Sequence, residues 1–379
     1  MKRLLTIGHS YVVAANRRLA HEMALAGAGR WEVTCAAPLR YPGDLRPVEL
    51  EPIPGEACRL VPLPVRGARI PQLMHYGRGL RALLREPWDA IHCWQEPFVL
   101  AAAQVALGAR RDAALAVATF QNLPKRYPPP FAGMERAVLR RADGWIAFGR
   151  TVEATLATRP GYRDRPHAVI PPGVDVARFR PDPIARREIH RQLGWADDGT
   201  PVVGFLGRFV EAKGVGVLID ALGGVHAPWR ALFVGGGPLE AALRETAAAR
   251  SGQVRVVTGV PHERVPAYVS AMDVLAAPSL TGPRWREQFG RMLTEAMACG
   301  VAVVGSDSGE IPHVLDAAGL VVPEGDADAL AAALGTLLTD PALRARLAAA
   351  GHARAATEFA LPRVAARHLD FLERLLALR

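Results

Sequence analysis

A short loop near the middle of the chain carries two permanent cations between two glycines. Arg208 and Lys213 lie inside the stretch Gly207 to Gly214, where an apolar strand is predicted to end and a helix to begin. A guanidinium and an ammonium group beside the free amides of a helix N-terminus can bind phosphate oxygens. The loop therefore indicates a diphosphate site, although an arginine and a lysine near a turn are also common as solvated residues.

Two carboxylates flank the start of a later helix. Glu287 precedes a helix predicted to begin near Phe289, and Glu295 lies inside it. Because eight residues are a little over two helical turns, both carboxylates are expected on one side, at opposite ends of an extended ligand. The amides of Phe289, Gly290 and Arg291 lack partners inside the helix and suit phosphate oxygens. The alternative is that both glutamates belong to a solvated helix face.

The run Gly235-Gly236-Gly237-Pro238 is a second predicted strand-to-helix turn. Its glycines permit unusual backbone angles, and its proline fits the first turn of a helix. It does not match G-x-G-x-x-G, and no nicotinamide-type fingerprint occurs elsewhere in the sequence. The turn is interpreted either as part of the site or as a purely structural feature.

The elements that carry these loops alternate between short apolar strands and amphipathic helices. In the first half, a helix is predicted at 16–26 and strands at 4–8, 31–36, 90–94 and 115–120. In the second half, strands are predicted at 202–207, 231–234, 254–258, 274–277, 301–305 and 320–322. The helices between them are predicted at 214–222, 238–250, 262–272, 289–299 and 311–315. Such alternation is typical of parallel sheets covered on both faces, so two consecutive doubly wound α/β domains are predicted.

The end of the chain is predicted to be helical at 329–338, 342–349 and 361–378. One side of the last helix carries Val364, His368, Leu369, Phe371, Leu372 and Leu375. An apolar stripe of this kind is more often a packing face than a membrane anchor, so we expect it to dock onto protein. The acidic run Asp326-Ala327-Asp328 precedes a predicted helix and is expected to cap it rather than to bind a metal.

Composition and charge narrow the class of protein. The 379 residues are 50% hydrophobic and 22% charged, which suits about two soluble domains. The longest uncharged apolar stretch, 97–109, is shorter than the ~18 residues that cross a bilayer. Four widely separated cysteines have no metal-binding spacing and indicate a reducing cytosol. The net charge of +9 suits an anionic partner, or the chain is simply rich in arginine.

In this order and spacing, the motifs resemble those of one family. They are Gly207-Arg208 with Lys213-Gly214, the turn at 235–238, and Glu287-Gln288-Phe289-Gly290 with Glu295-Ala296-Met297-Ala298-Cys299-Gly300. The set resembles the retaining GT-B glycosyltransferases, a large family that includes sucrose synthases and bacterial mannosyl- and glucosyltransferases. Segments 170–175 and 308–312 are also similar to segments of that family. The resemblance is specific over residues 170–325 and only architectural over the first half.

The resemblance implies a GT-B fold, in which two doubly wound Rossmann-like domains face a cleft. It implies that residues 1–171 form an acceptor-binding domain and residues 172–357 a nucleotide-sugar-binding domain. It also implies that the helix within 358–379 crosses back and packs on the N-terminal domain.

For the donor site, the resemblance implies roles residue by residue. Arg208 and Lys213 would bind the diphosphate and stabilise the leaving nucleotide in place of a divalent metal, so no metal or other cofactor is expected. Glu295 would hold the ribose hydroxyls, and Glu287 would hold the sugar hydroxyls together with the backbone of residues 289 and 290. The further donor-binding residues expected are Gly207, Val260, Arg291 and Ser10.

The first half departs from the family at two points. Ser10 and Tyr11 stand where many members have paired glycines that approach the donor phosphate. The strand at 115–120 is followed by Gln121 and Asn122, where a histidine is common. Gln121 is still expected to act at the reacting centre. A neutral amide hydrogen-bonds but cannot carry a proton at neutral pH. The resemblance implies that the departing phosphate takes the acceptor's proton instead.

Polar residues of the first half are the candidates for acceptor binding. They are His92, Glu96, Asn122, Lys125 and Arg126. His92 is interpreted either as an acceptor contact or as a packing residue at a strand end. Lys125 and Arg126 begin a proline-rich loop whose basic rim suits a lipid diphosphate or an anionic membrane surface, with a rigid solvated loop as the alternative.

Together with these residues, the resemblance implies a retaining, metal-independent hexosyltransferase that uses a nucleotide diphosphate sugar. The acceptor is expected to be a saccharide, a lipid-linked sugar or a small molecule, in polysaccharide or glycoconjugate biosynthesis. We expect the protein in the cytoplasm or peripherally at the inner face of the membrane, with no nucleic-acid partner. The alternatives are an inactive nucleotide-sugar sensor or partner subunit, and a phosphorylase, epimerase or disaccharide synthase on the same scaffold.

Overall fold

The computed structural model describes residues 1–43, 47–250 and 252–379, which form two compact units. Unit 1 consists of Met1–Gly173 together with Leu361–Arg379, and unit 2 consists of Val174–Ala360. The expected boundaries at 171 and 357 fall two and three residues before those of the structure. Among the described residues, no helix combines the length and the apolar character needed to cross a bilayer.

Unit 1 is built on a seven-stranded sheet. Its strands, with four short ones outside the sheet, are β1 (Lys2–Ile7), β2 (Trp31–Pro38), β3 (Arg40–Tyr41), β4 (Val48–Glu49), β5 (Arg59–Leu63), β6 (Val65–Arg66), β7 (His75–Tyr76), β8 (Ala90–Cys93), β9 (Ala114–Thr119), β10 (Gly144–Ala147) and β11 (His167–Val169). The sheet is parallel, in the order β11-β10-β9-β8-β1-β2-β5, while β3 pairs with β4 and β6 with β7 in antiparallel ribbons.

Helices cover both faces of this sheet. They are α1 (Ala14–Ala26), α2 (Gly79–Leu84), α3 (Leu100–Gly108), α4 (Phe131–Arg141), α5 (Arg150–Leu156) and, from the end of the chain, α14 (Leu361–Ala377). Leu4 and Leu5 of β1 alternate between two separate apolar clusters, one on each face. The apolar stripe of α14, including Leu369 and Leu372, lies in the cluster with Leu4. The last helix therefore docks onto protein, as its stripe predicts.

Unit 2 repeats the architecture with a six-stranded parallel sheet in the order β14-β13-β12-β15-β16-β17. These strands are β12 (Val202–Arg208), β13 (Arg230–Gly236), β14 (Val254–Thr258), β15 (Val274–Ala277), β16 (Ala302–Ser306) and β17 (Leu320–Val322). The helices are α6 (Pro183–Gln192), α7 (Val215–Gly223), α8 (Glu240–Ala249), α9 (Val265–Ser270), α10 (Arg291–Ala298), α11 (Ile311–Leu315), α12 (Ala327–Thr339) and α13 (Pro341–Arg354).

Each sheet contains one point at which the strand order reverses. In unit 1 the chain builds β2 and β5 on one side of β1 and then places β8 on the other side. In unit 2 it builds β13 and β14 on one side of β12 and then places β15 on the other. Ligands of open α/β sheets bind outside the carboxyl ends of the strands at such points. We call the loops 8–13, 94–99 and 120–130 the unit 1 edge, and the loops 209–214, 278–290 and 307–310 the unit 2 edge.

Two predicted helices differ from the structure for local reasons. The helix expected from 289 begins at Arg291, because Gly290 adopts a left-handed conformation with a φ of 79°. The helix expected over 262–272 is split into a 3-10 turn, His262–Arg264, and α9, which has a proline in its first turn. Three strands of the unit 1 sheet, β5, β10 and β11, are not predicted from the sequence.

Candidate functional site

The loop after β12 is fixed by a glycine that lies against the loop after β15. Gly214 has a φ of 68°, and a Cβ there would stand 1.7 Å from the carbonyl oxygen of Pro278. The amide of Leu280 donates to the carbonyl of Ala212 at 2.9 Å. No larger residue than glycine fits this contact, so the two loops on either side of the reversal point are held backbone to backbone.

Lys213 and Glu287 meet at this contact. The Lys213 ammonium lies 2.5 Å from Glu287 Oε2, and the Ser279 hydroxyl donates to the same oxygen at 2.8 Å. The ring of Trp285 lies 5.1 Å from the ammonium, which suits a cation–π contact. The two ion-paired side chains are only 14% and 6% exposed. Removing either partner would take a charge-assisted contact out of a largely buried site, which is costly.

The loop after β16 supports the backbone of Glu287. A Cβ on Gly309, whose φ is 59°, would stand 2.0 Å from the carbonyl oxygen of Glu287. The amide of Glu310 donates to that same carbonyl at 3.1 Å. The hydroxyls of Ser308 and Thr281 lie 3.0 Å apart across the same junction. The segment 308–312 therefore positions the glutamate by backbone contact.

Glu295 lies on α10 and is 9% exposed. Burial raises the pKa of its carboxyl, while the charges of Arg291 and Arg178 lower it. Arg178 lies outside the sequence motifs. A nearly buried carboxylate with cations close by can accept hydrogen bonds from a pair of hydroxyls.

The remaining donor candidates lie at the ends of β12, β13 and β14. Arg208 is exposed at the end of β12, and Val260 is half-buried against apolar residues. The glycine turn packs on the loop after β12, since a Cβ on Gly235 would stand 1.8 Å from the carbonyl oxygen of Gly207. The amide of Phe209 donates to the carbonyl of Gly236 at 2.8 Å. These close backbone contacts explain why glycines occupy this turn.

In unit 1, Glu96 is the centre of a buried hydrogen-bond network. Its carboxylate accepts hydrogen bonds from the Thr119 hydroxyl at 2.9 Å, the backbone amide of Phe120 at 2.8 Å and the side-chain amide of Gln121 at 3.1 Å. Burial raises the pKa of Glu96 to about 7, while these hydrogen bonds lower it. Arg159 donates to Gln121 Oε1 at 3.3 Å. Gln121 is thus held on both sides, with its oxygen and its nitrogen both engaged.

The network continues away from the sheet. Arg159 also donates to Glu135 at 3.0 Å, and the Tyr162 hydroxyl donates to the other oxygen of Glu135 at 2.9 Å. Asn122 is buried beside Gln121, whereas Lys125 and Arg126 are exposed. The structure therefore brings Glu96 and Gln121 together and leaves the two cations at the surface.

His92 is fully buried in β8. Its Nδ1 lies 2.9 Å from the Thr6 hydroxyl, and its ring lies 4.9 Å from that of His368 on α14. Burial lowers the pKa of His92 to about 3, so the imidazole is neutral. These are the surroundings of a packing residue. Ser10 lies in the 3-10 turn after β1, and its carbonyl accepts from the side chain of Asn16 at 3.1 Å.

The acidic run before α12 caps the helix, as predicted. Asp326 is the N-cap residue, and its carboxylate accepts from the amide of Ala329 at 2.8 Å. Within residues 1–43, 47–250 and 252–379, no group of three histidine, cysteine, aspartate or glutamate side chains is arranged to hold a metal ion.

Comparison with known proteins places this geometry in a family. The family model described as glycosyl transferases group 1 matches residues 185–354, and the one described as glycosyltransferase family 4 matches residues 17–178. D-inositol 3-phosphate glycosyltransferase of Xylanimonas cellulosilytica is 34% identical over 298 residues, which are 75% of this chain and 67% of that protein. The chain belongs to the group 1 glycosyltransferases.

Two further comparisons extend this likeness. GDP-mannose-dependent alpha-(1-6)-phosphatidylinositol monomannoside mannosyltransferase of Mycolicibacterium smegmatis is 41% identical over 191 residues, 48% of this chain and 50% of that protein. The chain spans about half to two thirds of the length of such curated relatives. The Anabaena protein Alr3699/HepE in complex with UDP has a TM-score of 0.75 at 19% identity, over 99% of this chain and 100% of that one. The GT-B fold is thereby confirmed.

Four residues at the two sheet edges contact candidate site residues and carry no clear signal in the sequence. Ser279 and Trp285 contact the Lys213–Glu287 ion pair, and Gln95 and Arg159 hold neighbours at the unit 1 edge. Ser279 lies two residues beyond the end of β15, a position that could have suggested a role. Arg159 carries no such signal, because it is 38 residues from its partner Gln121.

Proposed function

We propose that the chain transfers a hexose from a nucleotide diphosphate sugar to a hydroxyl acceptor, with retention of the anomeric configuration and without a metal ion. The observation that carries this proposal is the ion pair of Lys213 and Glu287 at the reversal point of unit 2. There a cation for the diphosphate and a carboxylate for sugar hydroxyls are held in contact, at the edge where α/β sheets bind nucleotides. Arg208 adds a second cation to the same loop.

In this proposal the acceptor oxygen forms a bond to the anomeric carbon while the bond from that carbon to the diphosphate breaks. The electron pair of the broken bond leaves with the nucleoside diphosphate. Lys213 and Arg208 stabilise the charge that develops there. An ammonium has three donors, so Lys213 can keep Glu287 and still bind a phosphate oxygen. The acceptor proton passes to the departing phosphate, since Gln121 cannot take it.

The carboxylates and the surface cations complete the proposal. Glu287 would accept hydrogen bonds from the transferred sugar and Glu295 from the ribose. GDP-mannose is the first donor to test, because a similar mycobacterial protein is named as GDP-mannose-dependent. Exposed Lys125 and Arg126 suit a saccharide acceptor on an anionic lipid and peripheral contact with an anionic bilayer, which flotation with acidic vesicles would test.

The decisive experiment is a calorimetric titration with UDP, GDP, ADP and their sugars, with and without EDTA. We expect one nucleotide to bind, EDTA to have no effect, and the double variant Arg208→Ala/Glu295→Ala to lose binding. Arg244→Ala, which removes an exposed arginine on α8, is the matched control. NMR of the product would report the anomeric configuration. No binding of any nucleotide would refute the donor site, and binding without turnover would favour a sensor.

A further inference from the structure

One imidazole at the unit 1 edge has a defined tautomer. His9 follows Gly8 directly after β1, and its Nδ1 lies 2.9 Å from Oε1 of Gln95 in the loop after β8. The nitrogen of the same amide donates to the Tyr76 hydroxyl at 2.7 Å. Because the amide nitrogen is directed at Tyr76, its oxygen faces the ring, and this oxygen can only accept. His9 therefore carries its proton on Nδ1 and leaves a lone pair on Nε2.

The Nε2 atom of His9 is open to a ligand. It makes no hydrogen bond within the described part of the chain. Nε2 of His92 and both ring nitrogens of His368 also lack a partner but are fully enclosed, whereas Nε2 of His9 is not enclosed. The ring itself is held in place, since Tyr41 packs against it with ring centres 5.3 Å apart. The imidazole is thus rigid on one side and accessible on the other.

The surroundings keep this imidazole neutral. Burial lowers the pKa of His9, and the hydrogen bond with Gln95 opposes the shift in part. The elements beside the ring carry the titratable residues Arg40 and Tyr41 on β3, and His75 and Tyr76 on β7. Burial raises the pKa of Tyr76 well above its ordinary value, so it is uncharged as well. No charge in the described residues contributes to the shift of His9.

The lone pair on Nε2 of His9 can bind only a hydrogen-bond donor. A phosphate oxygen is itself an acceptor and cannot bond to a neutral Nε2, whereas a hydroxyl can donate to it. This is the complement of the unit 2 edge, where Lys213 offers donors to an anion. The position of His9 beside the reversal point between β1 and β8 is where a sheet of this kind receives a ligand.

We propose that Nε2 of His9 accepts a hydrogen bond from a hydroxyl of the sugar or polyol that receives the transferred hexose. The proposal rests on the proposed glycosyl transfer. Gln95 acts as a positioning residue, because its amide fixes the tautomer of the ring. Neither His9 nor Gln95 belongs to the motifs through which the sequence resembles its family.

The test uses the full chain with GDP-mannose or whichever nucleotide sugar it turns over. Methyl α-mannoside serves as the probe acceptor, and water alone is the smallest hydroxyl acceptor. His9→Asn keeps a donor towards Gln95 and removes the outward lone pair. His75→Asn is the matched control, since His75 is bonded to the Leu73 carbonyl at the surface. Gln95→Glu places a carboxylate beside Nδ1.

We expect His9→Asn to lower kcat/KM for the acceptor about tenfold, as for one lost hydrogen bond, with donor affinity unchanged. His75→Asn should behave as wild type. Gln95→Glu should raise the pKa of His9 and move the acid limb of the kcat/KM profile upward by about one pH unit or more. This profile shift is a readout that a merely structural role would not produce.

Three outcomes overturn the proposal in distinguishable ways. Wild-type turnover with an unaffected His9→Asn variant would count against His9 alone. If the acid limb of the kcat/KM profile does not move in Gln95→Glu, the ionisation of His9 does not affect the reaction. If neither the wild type nor His75→Asn turns over any nucleotide sugar, the proposed glycosyl transfer fails and this inference fails with it.

Discussion

The unit 1 edge and the unit 2 edge have the same strand topology but differ in the chemical groups that their side chains supply. At the unit 2 edge, Lys213 and Glu287 form a buried ion pair, and glycines bring the loops into backbone contact. At the unit 1 edge, the buried side chains are hydrogen-bonded amides and one carboxyl, an imidazole is bonded to one of the amides, and the cations Lys125 and Arg126 lie exposed at the surface. The two edges share a strand order and differ in the side chains that fill them, so we expect an anion to bind at the unit 2 edge and a hydroxyl at the unit 1 edge.

The comparison also predicts how sensitive each edge is. Removing one member of a buried ion pair leaves an unpaired charge, at a cost of about 3–5 kcal/mol. A hydrogen bond between neutral groups contributes only about 0.5–1.5 kcal/mol. Changes at the unit 2 edge should therefore have larger consequences than changes at the unit 1 edge.

The largest effect is expected for Lys213→Met, which keeps most of the side-chain volume and removes the charge. The departing diphosphate then loses a fixed cation, and Glu287 loses its ion-pair partner. We expect kcat to fall about 10²- to 10³-fold and nucleotide diphosphate binding to weaken with it. Steady-state kinetics and calorimetry on the same preparation measure both. A loss no larger than that of a unit 1 variant would remove the distinction between the edges.

A smaller effect is expected for Gln121→Met, a change of similar shape at the unit 1 edge. Glu96 loses one donor and Arg159 loses one acceptor, but both keep other partners. We expect kcat/KM for the acceptor to fall about tenfold while donor affinity stays at the wild-type value. Steady-state kinetics with varied acceptor would measure the first quantity, and calorimetry with the nucleotide would measure the second. Weakened donor binding would show that the two edges do not divide the substrates as proposed.

The elements of unit 2 and its charged residues could be predicted because each carries a local signal. The predicted strands at 254–258, 274–277 and 320–322 have the observed bounds, since short apolar runs are delimited by polar, proline or glycine residues. Lys213 and Glu287 stand out because glycines frame their loops. Their direct contact could not be predicted, because it joins positions 74 residues apart and depends on the sheet order.

The unit 1 edge was harder to predict for a physical reason. Neutral hydrogen-bonding residues are common everywhere in a sequence, and their role depends on the partner that the fold supplies. The sequence points to Ser10 and His92, whereas in the structure an accessible ring nitrogen belongs to His9. Glu96 and Gln121 were named separately, and only the fold shows that one holds the other.

The smallest effect concerns the pH dependence of stability in unit 1. The pKa of Glu96 is raised from 4.5 to about 7 in the folded chain, mainly by burial. A group of this kind binds its proton more tightly when folded, so its contribution is complete below pH 4.5 and is lost as the pH rises through 7. We expect the free energy of unfolding of unit 1 to fall by roughly 1 kcal/mol or more between pH 5 and 7.5. In Glu96→Gln this decline should disappear.

Hydrogen exchange of peptides from β8 and β9, corrected for the intrinsic effect of pH, would measure this decline within unit 1. Glu32→Gln changes an exposed glutamate of the same sheet and should keep the wild-type slope. An unchanged slope in Glu96→Gln would mean that the three donors around Glu96 hold it ionised throughout this range. The buried network of the unit 1 edge would then contain a charged group as well, and its contrast with the Lys213–Glu287 ion pair of the unit 2 edge would be lost.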